Sequence, residues 1–279
     1  MIVCFFCLRF FSFYVINSMV NDMDVFLLLF ISVLPIFLIG KYVYTKDSVK
    51  EPTGLLVKLF FCGVGAFCFT IFLTIILGFF FPSILSSENN FDLVGLFFHV
   101  FFGIALIEEF CKWIFVYKIG FNNPEFDQIY DMVVYSTFVA LGFACIENVF
   151  YVFENGFLTG VIRALFAVPG HACNGVFMGY YLSMAKFYGL NNNLKKHNLF
   201  LSLFVPILLH GFYDYCLFSG NIFFILFFLV FIILLYIITV KKVKRVSDMS
   251  SMAFKDKFCP NCGHIVDSNI CVGCGRNNE

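Results

Sequence analysis

Apolar residues come in long runs along this chain, broken by short polar stretches, over 24–44, 55–81, 93–119, 131–153, 158–187, 199–218 and 221–240. A bilayer hydrocarbon core of about 30 Å takes around 20 helical residues to cross. Each run therefore predicts a spanning helix. Residues 1–20 add a candidate eighth, interrupted by Arg9, with Met19 and Met23 as alternative starts. No small-residue cleavage site follows that stretch, which argues against a removed signal peptide. The predicted fold is an all-α polytopic membrane protein, a bundle of seven to eight transmembrane helices.

Composition agrees with the runs. Hydrophobic residues make up 61% of the 279 and charged residues 13%, against roughly 45–50% and about 25% in soluble domains. The 44 Phe are expected to face lipid. Net charge is zero and no basic stripe occurs, so no nucleic-acid partner is expected for the membrane domain. Cys4, Cys7, Cys62, Cys68, Cys111, Cys145, Cys173 and Cys216 are scattered through apolar segments, where a thiol acts as small apolar filler.

Lys and Arg set the expected orientation. Lys41, Lys46, Lys50 and Lys58, then Lys118, then Lys186, Lys195 and Lys196, and finally "KKVKR" at 241–245 all fall on one side when seven spans are threaded alternately. The positive-inside rule makes that side cytoplasmic. The intervening loops carry Asp22, Glu88, Asp92 and Glu154. The expected location is the cell membrane, multi-pass, with the C-terminus in the cytoplasm.

The tail reads "FCPNCGHIVDSNICVGCGR". Cys259 with Cys262 and Cys271 with Cys274 form two C-x2-C pairs, each followed by Gly. Four thiolates so spaced suit tetrahedral zinc, and the segment resembles a short zinc ribbon. Disulfides are disfavoured in a reducing compartment. So small a unit has almost no core and takes much of its folding free energy from the metal. The zinc is structural, with no open coordination position. The expected organisation is a transmembrane helical domain over 1–245 with its motif-bearing core at about 93–218, a linker over 246–258 and a cytoplasmic ribbon over 259–279, whose partner the sequence does not identify.

Within the apolar runs lie Glu108, Glu109, Lys112, Glu147, His171, His210 and Asp214. Each ionisable group at mid-helix costs about 2.5–3.5 kcal/mol if it faces lipid, so such groups turn inward and mark function. Glu108 and Glu109 lie four and three residues before Lys112, so either carboxylate can meet the ammonium. His210 and Asp214 share a helix face at i, i+4, where the carboxylate can orient the imidazole. Pro169 and Gly170 should disturb the helix just before His171, and broken backbone at membrane depth belongs where it is buried in protein. Asp131 and Glu154 look like helix ends at the interface, and His99 like a packing residue. Counting residues from the helix ends puts Glu108 nearer the cytoplasmic face and Glu147 nearer the outside, with both histidines midway.

Four of these segments resemble a known family. "EEFCK" is similar to the E-E-x-x-K motif of PrsW-type intramembrane proteases, "FACIEN" to their second motif, "PGHACNGVFMG" to their internal histidine motif and "HGFYD" to their closing H-x-x-x-D element. The match spans about residues 100–215 in the right order. The related CAAX prenyl endopeptidases have parallel spacing, but Glu147 and Asp214 depart from their pattern, which argues against CAAX processing.

The resemblance implies peptide hydrolysis within the bilayer, as the first cut in regulated proteolysis of a single-span, anti-sigma-type membrane protein. One glutamate of the pair would act as general base on a water. Two assignments fit: Glu108 as base with Glu109 held by Lys112, or the reverse. His171 and His210 would position the water or donate to the oxyanion, with Asp214 orienting His210. Glu147 would share a proton with the first pair or orient Asn148. A catalytic metal held by Glu and His side chains is the other mechanism open to these residues. Two rivals from other classes use the same features: a proton- or ion-coupled transporter, and a non-catalytic scaffold recruiting partners through the ribbon.

Overall fold

Hydrocarbon offers no hydrogen bonds, so a spanning backbone satisfies its own N–H and C=O groups and each apolar run becomes a helix. A computed structural model describes residues 22–85, 92–189 and 192–255. Apart from a single helical turn at Pro82–Leu85, the helices are α1 (Asp22–Lys46), α2 (Thr53–Phe80), α3 (Leu93–Phe121), α4 (Asp131–Asn155), α5 (Phe157–Leu165), α6 (Ala167–Phe187), α7 (Asn192–Phe218) and α8 (Ile222–Lys255). Among the described residues, seven helices are long and apolar enough to cross a membrane, with Phe157–Phe187 counted as one. This is an integral, multi-pass membrane protein. The zinc ribbon expected at Cys259, Cys262, Cys271 and Cys274, and the candidate helix over 1–20, lie outside the described residues.

The outer surface is apolar. Phe26, Phe79, Phe80, Phe223 and Phe227 are among its most exposed side chains, as lipid-facing filler should be. α4 runs through the middle, packed by α1, α2 and α6. Small residues let the backbones approach closely, the usual device where no hydrophobic effect drives helices together. A Cβ on Gly142 of α4 would lie 1.9 Å from the Phe60 carbonyl oxygen, and one on Gly63 of α2 would lie 2.0 Å from that of Val139. On the opposite side Gly175 and Gly179 of α6 press against α4, where the Ser136 hydroxyl donates to the Gly175 carbonyl at 2.7 Å.

Two departures from regular helix matter for the site. α3 winds as a π-helix over His99–Ala105 and again over Tyr117–Phe121, leaving the α-helical stretch Leu106–Val116 between them. Inserted π turns often occur at functional sites. α5 and α6 are separated at Phe166, whose backbone lies at φ −121°, ψ −55°. The break expected just before His171 therefore falls upstream of Pro169. Pro169 instead sits in the first turn of α6, where the missing N–H costs nothing. Part of the expected linker is also helical, because α8 continues to Lys255. Its Ser247 donates to the Lys46 carbonyl, and Ser250 reaches Gln128 Oε1 at 3.2 Å.

Candidate active site

Glu108, Glu109 and Lys112 lie on consecutive turns of the regular stretch of α3 and are buried. The Lys112 ammonium is 2.8 Å from Glu109 Oε1 and 3.4 Å from Glu108 Oε2. It also lies 4.0 Å from the centre of the Phe143 ring, a cation–π contact strengthened by burial. Glu109 is the more tightly held carboxylate. Its Oε1 also accepts from His210 Nδ1 at 2.8 Å and from Asn174 Nδ2 at 3.4 Å. Its other oxygen, Oε2, is buried with no hydrogen-bond partner among the described residues.

His171 is reached from two sides. Lys112 Nζ lies 3.2 Å from its Nδ1 and Glu147 Oε2 lies 2.9 Å from its Nε2. An ammonium has only donors to offer, so Nδ1 accepts and the proton sits on Nε2, donating to Glu147. The network thus defines the tautomer. In His210, Nδ1 donates to Glu109 Oε1, while Nε2 faces two further acceptors, Asp214 Oδ2 at 3.3 Å and Glu108 Oε2 at 3.9 Å. The two rings meet edge to face with centres 5.4 Å apart. Gly211, next in sequence, lets α7 come down on Phe101 of the π-helical part of α3; a Cβ there would lie 2.5 Å from that ring.

The structure thus brings together all seven ionisable positions singled out in the sequence. Glu147 is the instructive one, because counting by depth separated it from Glu108. The step is bridged by side chains, from Glu147 through His171 and Lys112 to Glu108. Asn148 turns away from Glu147. It donates to the Ser32 carbonyl of α1 at 2.9 Å and accepts from Arg163 Nε at 2.9 Å. The carboxylate that accepts the short hydrogen bond of His210 is that of Glu109 and not that of Asp214, which lies farther away.

Sequence reasoning missed Arg163. It stands on α5 with Nη2 2.9 Å from Glu147 Oε2, and its guanidinium lies 4.0 Å from the centre of the Tyr151 ring. A lone Arg inside an apolar run was the signal, by the same cost argument that flagged the glutamates. Asn174 was also missed, although it lies inside the histidine motif.

Electrostatics suggest what the cluster can hold. Four carboxylates, of Glu108, Glu109, Glu147 and Asp214, face the two fixed cations Lys112 and Arg163. Protonated imidazoles or a bound divalent ion would make up the difference, since buried charge must be compensated. An unprotonated His210 Nε2 facing two carboxylate oxygens is repulsive unless a cation lies between them. Glu108, His171 and His210 each offer a ligand atom, all within 4.8 Å of one another. Each imidazole also has a carboxylate on its other nitrogen, the outer-shell arrangement that orients metal-ligating histidines. The donor set fits a divalent ion held by three protein ligands with one open position, provided that the Lys112 ammonium releases His171 Nδ1.

Residues 51–239 match the family described as PrsW family intramembrane metalloprotease. The chain is similar to proteins named Protease PrsW. That of Oceanobacillus iheyensis is 39% identical over 183 residues, covering 66% of this chain and 79% of the relative. That of Bacillus subtilis is 37% identical over 188 residues, covering 66% and 81%. That of Clostridioides difficile is 33% identical over 201 residues, covering 70% and 79%. No solved structure matches.

Proposed function

Because the chain belongs to the PrsW family of intramembrane metalloproteases, we propose that it hydrolyses peptide bonds of membrane-embedded proteins with a water activated beside Glu108. The observation that carries this reading is the meeting of Glu108, His171 and His210 within 4.8 Å, with the outer nitrogen of each imidazole on a carboxylate. A transporter relay needs ionisable groups along a path, whereas these groups close on a centre.

Glu109 is fixed by Lys112, His210 and Asn174, which leaves Glu108, with a single longer contact to the ammonium, to take a proton from water. His210, oriented through Nδ1 by Glu109, positions the water or donates to the developing oxyanion. Asp214 tunes the same ring from its Nε2 side. Glu147 holds His171 and is itself held by Arg163. A metal ion bound by Glu108, His171 and His210 would supply Lewis acidity and a more acidic water. In either case Glu108 stands next to the reacting water.

The substrate class is a single-span membrane protein of anti-sigma type, cut as the first step of regulated proteolysis. The reading includes a cell-membrane location, and the Lys and Arg pattern supports a cytoplasmic C-terminus. There the four cysteines of the tail would form a structural zinc ribbon that recruits a partner, as a unit separate from the membrane domain.

The test of the metal is chelation of a variant lacking residues 256–279, so that ribbon zinc does not confuse the result. Incubation with a membrane-permeant chelator is expected to abolish cleavage of a single-span substrate, and stoichiometric zinc to restore it. Full activity with no bound metal would exclude the metal and leave the glutamate mechanism alone.

A further inference from the structure

A second group of buried acids lies away from the site, where the loop joining α1 to α2 folds over the start of α4. Asp47 and Glu51 belong to the loop and Asp131 is the first residue of α4. All three are buried, with Asp47 4%, Glu51 6% and Asp131 0% exposed. One carboxylate oxygen from each lies within 4.8 Å of the others. Asp131, expected to mark a helix end, does begin α4 and is fully buried there.

Other contacts hold these acids without neutralising them. Asp131 Oδ2 accepts from the backbone N–H groups of Gln128 at 2.6 Å and Asp127 at 3.0 Å. Glu51 Oε2 accepts from the Tyr135 hydroxyl at 2.5 Å. Both oxygens of Asp47 and Oδ1 of Asp131 are buried without a hydrogen bond of good geometry among the described residues, although the backbone N–H groups of Ser48, Val49 and Glu51 lie close enough to Asp47 to favour its charge. The neighbouring Lys50 ammonium is spent on the backbone carbonyls of Tyr44 and Asp47, at 2.7 and 2.6 Å. Lys186 donates to the Phe126 carbonyl. Burial pushes the Asp47 carboxyl up to about 6, against the opposing pull of the Lys50 ammonium, and that of Glu51 up to about 7.

Unpaired buried carboxylate oxygens are costly, and these converge. The donors are oxygen only, with no imidazole or thiol among them, which selects hard divalent ions over zinc or copper. We propose that Asp47, Glu51 and Asp131 form a structural site for an oxygen-seeking divalent cation of the Mg2+ or Ca2+ kind, clamping the α1–α2 loop onto α4. α4 also carries Glu147 and Asn148, so the clamp steadies a helix that the active site is built on. It is distinct from the Glu108 centre in position and in donor chemistry.

The test is thermal unfolding of the full-length protein in detergent, stripped of metal and then given Mg2+, Ca2+ or Mn2+ separately at millimolar concentration. At least one ion is expected to raise the unfolding midpoint, by on the order of 5 °C at saturation. Which ion does so identifies the size the site prefers. The rise should disappear in Asp47→Asn and persist in Glu108→Gln, which leaves the clamp whole. Glu51→Gln is the second variant, used if Asp47→Asn does not fold. No rise with any of the three ions in the unsubstituted protein would overturn the site in favour of carboxyls that share protons. An equal rise in the folded clamp variants would also overturn it.

Discussion

Glu108→Gln is expected to lower cleavage of a membrane-embedded substrate by about 10²–10⁴-fold, the range lost when a positioned general base is removed. The replacement keeps the shape of the side chain and removes only its charge and proton affinity. It should leave the bundle intact, because Lys112 keeps its shorter ion pair with Glu109. Cleavage and thermal midpoint measured on the same preparation separate the two effects: the first should collapse while the second hardly moves. A Glu108→Gln protein that cleaves at the unsubstituted rate would remove Glu108 from the chemistry.

Lys112→Met should have the opposite signature, a loss of the fold itself. Lys112 is 1% exposed and Glu109 is 0% exposed. Removing the ammonium leaves a carboxylate sealed from water with only His210 and Asn174 as donors. Breaking a buried ion pair from one side costs about 3–5 kcal/mol, because the remaining charge is stranded. The companion variant Glu109→Gln/Lys112→Met strands no charge at that position and should regain much of the loss. Lys112→Arg should not replace the lysine, since a broad planar guanidinium does not fit where a compact ammonium packs on Phe143. Unfolding in detergent of the unsubstituted protein, Glu109→Gln, Lys112→Met and the double variant gives the coupling directly, and additive losses would mean that the pair is not a unit.

The spans were legible in the sequence because hydrocarbon imposes one simple rule, and runs such as 55–81 and 158–187 correspond to helices at Thr53–Phe80 and Phe157–Phe187. Contacts within a single helix were legible too, because i, i+3 and i, i+4 spacing alone brings Glu108 and Glu109 to Lys112. Contacts between helices were not. Whether His210 is oriented by Asp214 on its own helix or by Glu109, 101 residues away, depends on how closely α7 approaches α3 at Gly211. Depth counting set Glu147 apart from Glu108 because it treats side chains as points, while His171 and Lys112 between them span the step. Arg163 escaped notice in a short helix near the end of a span, where a cation draws little attention. That Asp131 begins a helix was legible, but nothing in its own segment shows that it is buried beside Asp47 and Glu51.

The central claim is that acids and imidazoles from separate spans act as one hydrolytic centre. It is tested most directly by the rate at which the purified protein, reconstituted in vesicles, cuts a single-span substrate, with Glu108→Gln, His171→Ala and His210→Ala introduced singly and all together. Groups that work as a unit lose their effect together, so each single replacement should cost nearly as much as the triple. Losses that multiply from one replacement to the next, or a triple variant that still cleaves, would contradict it.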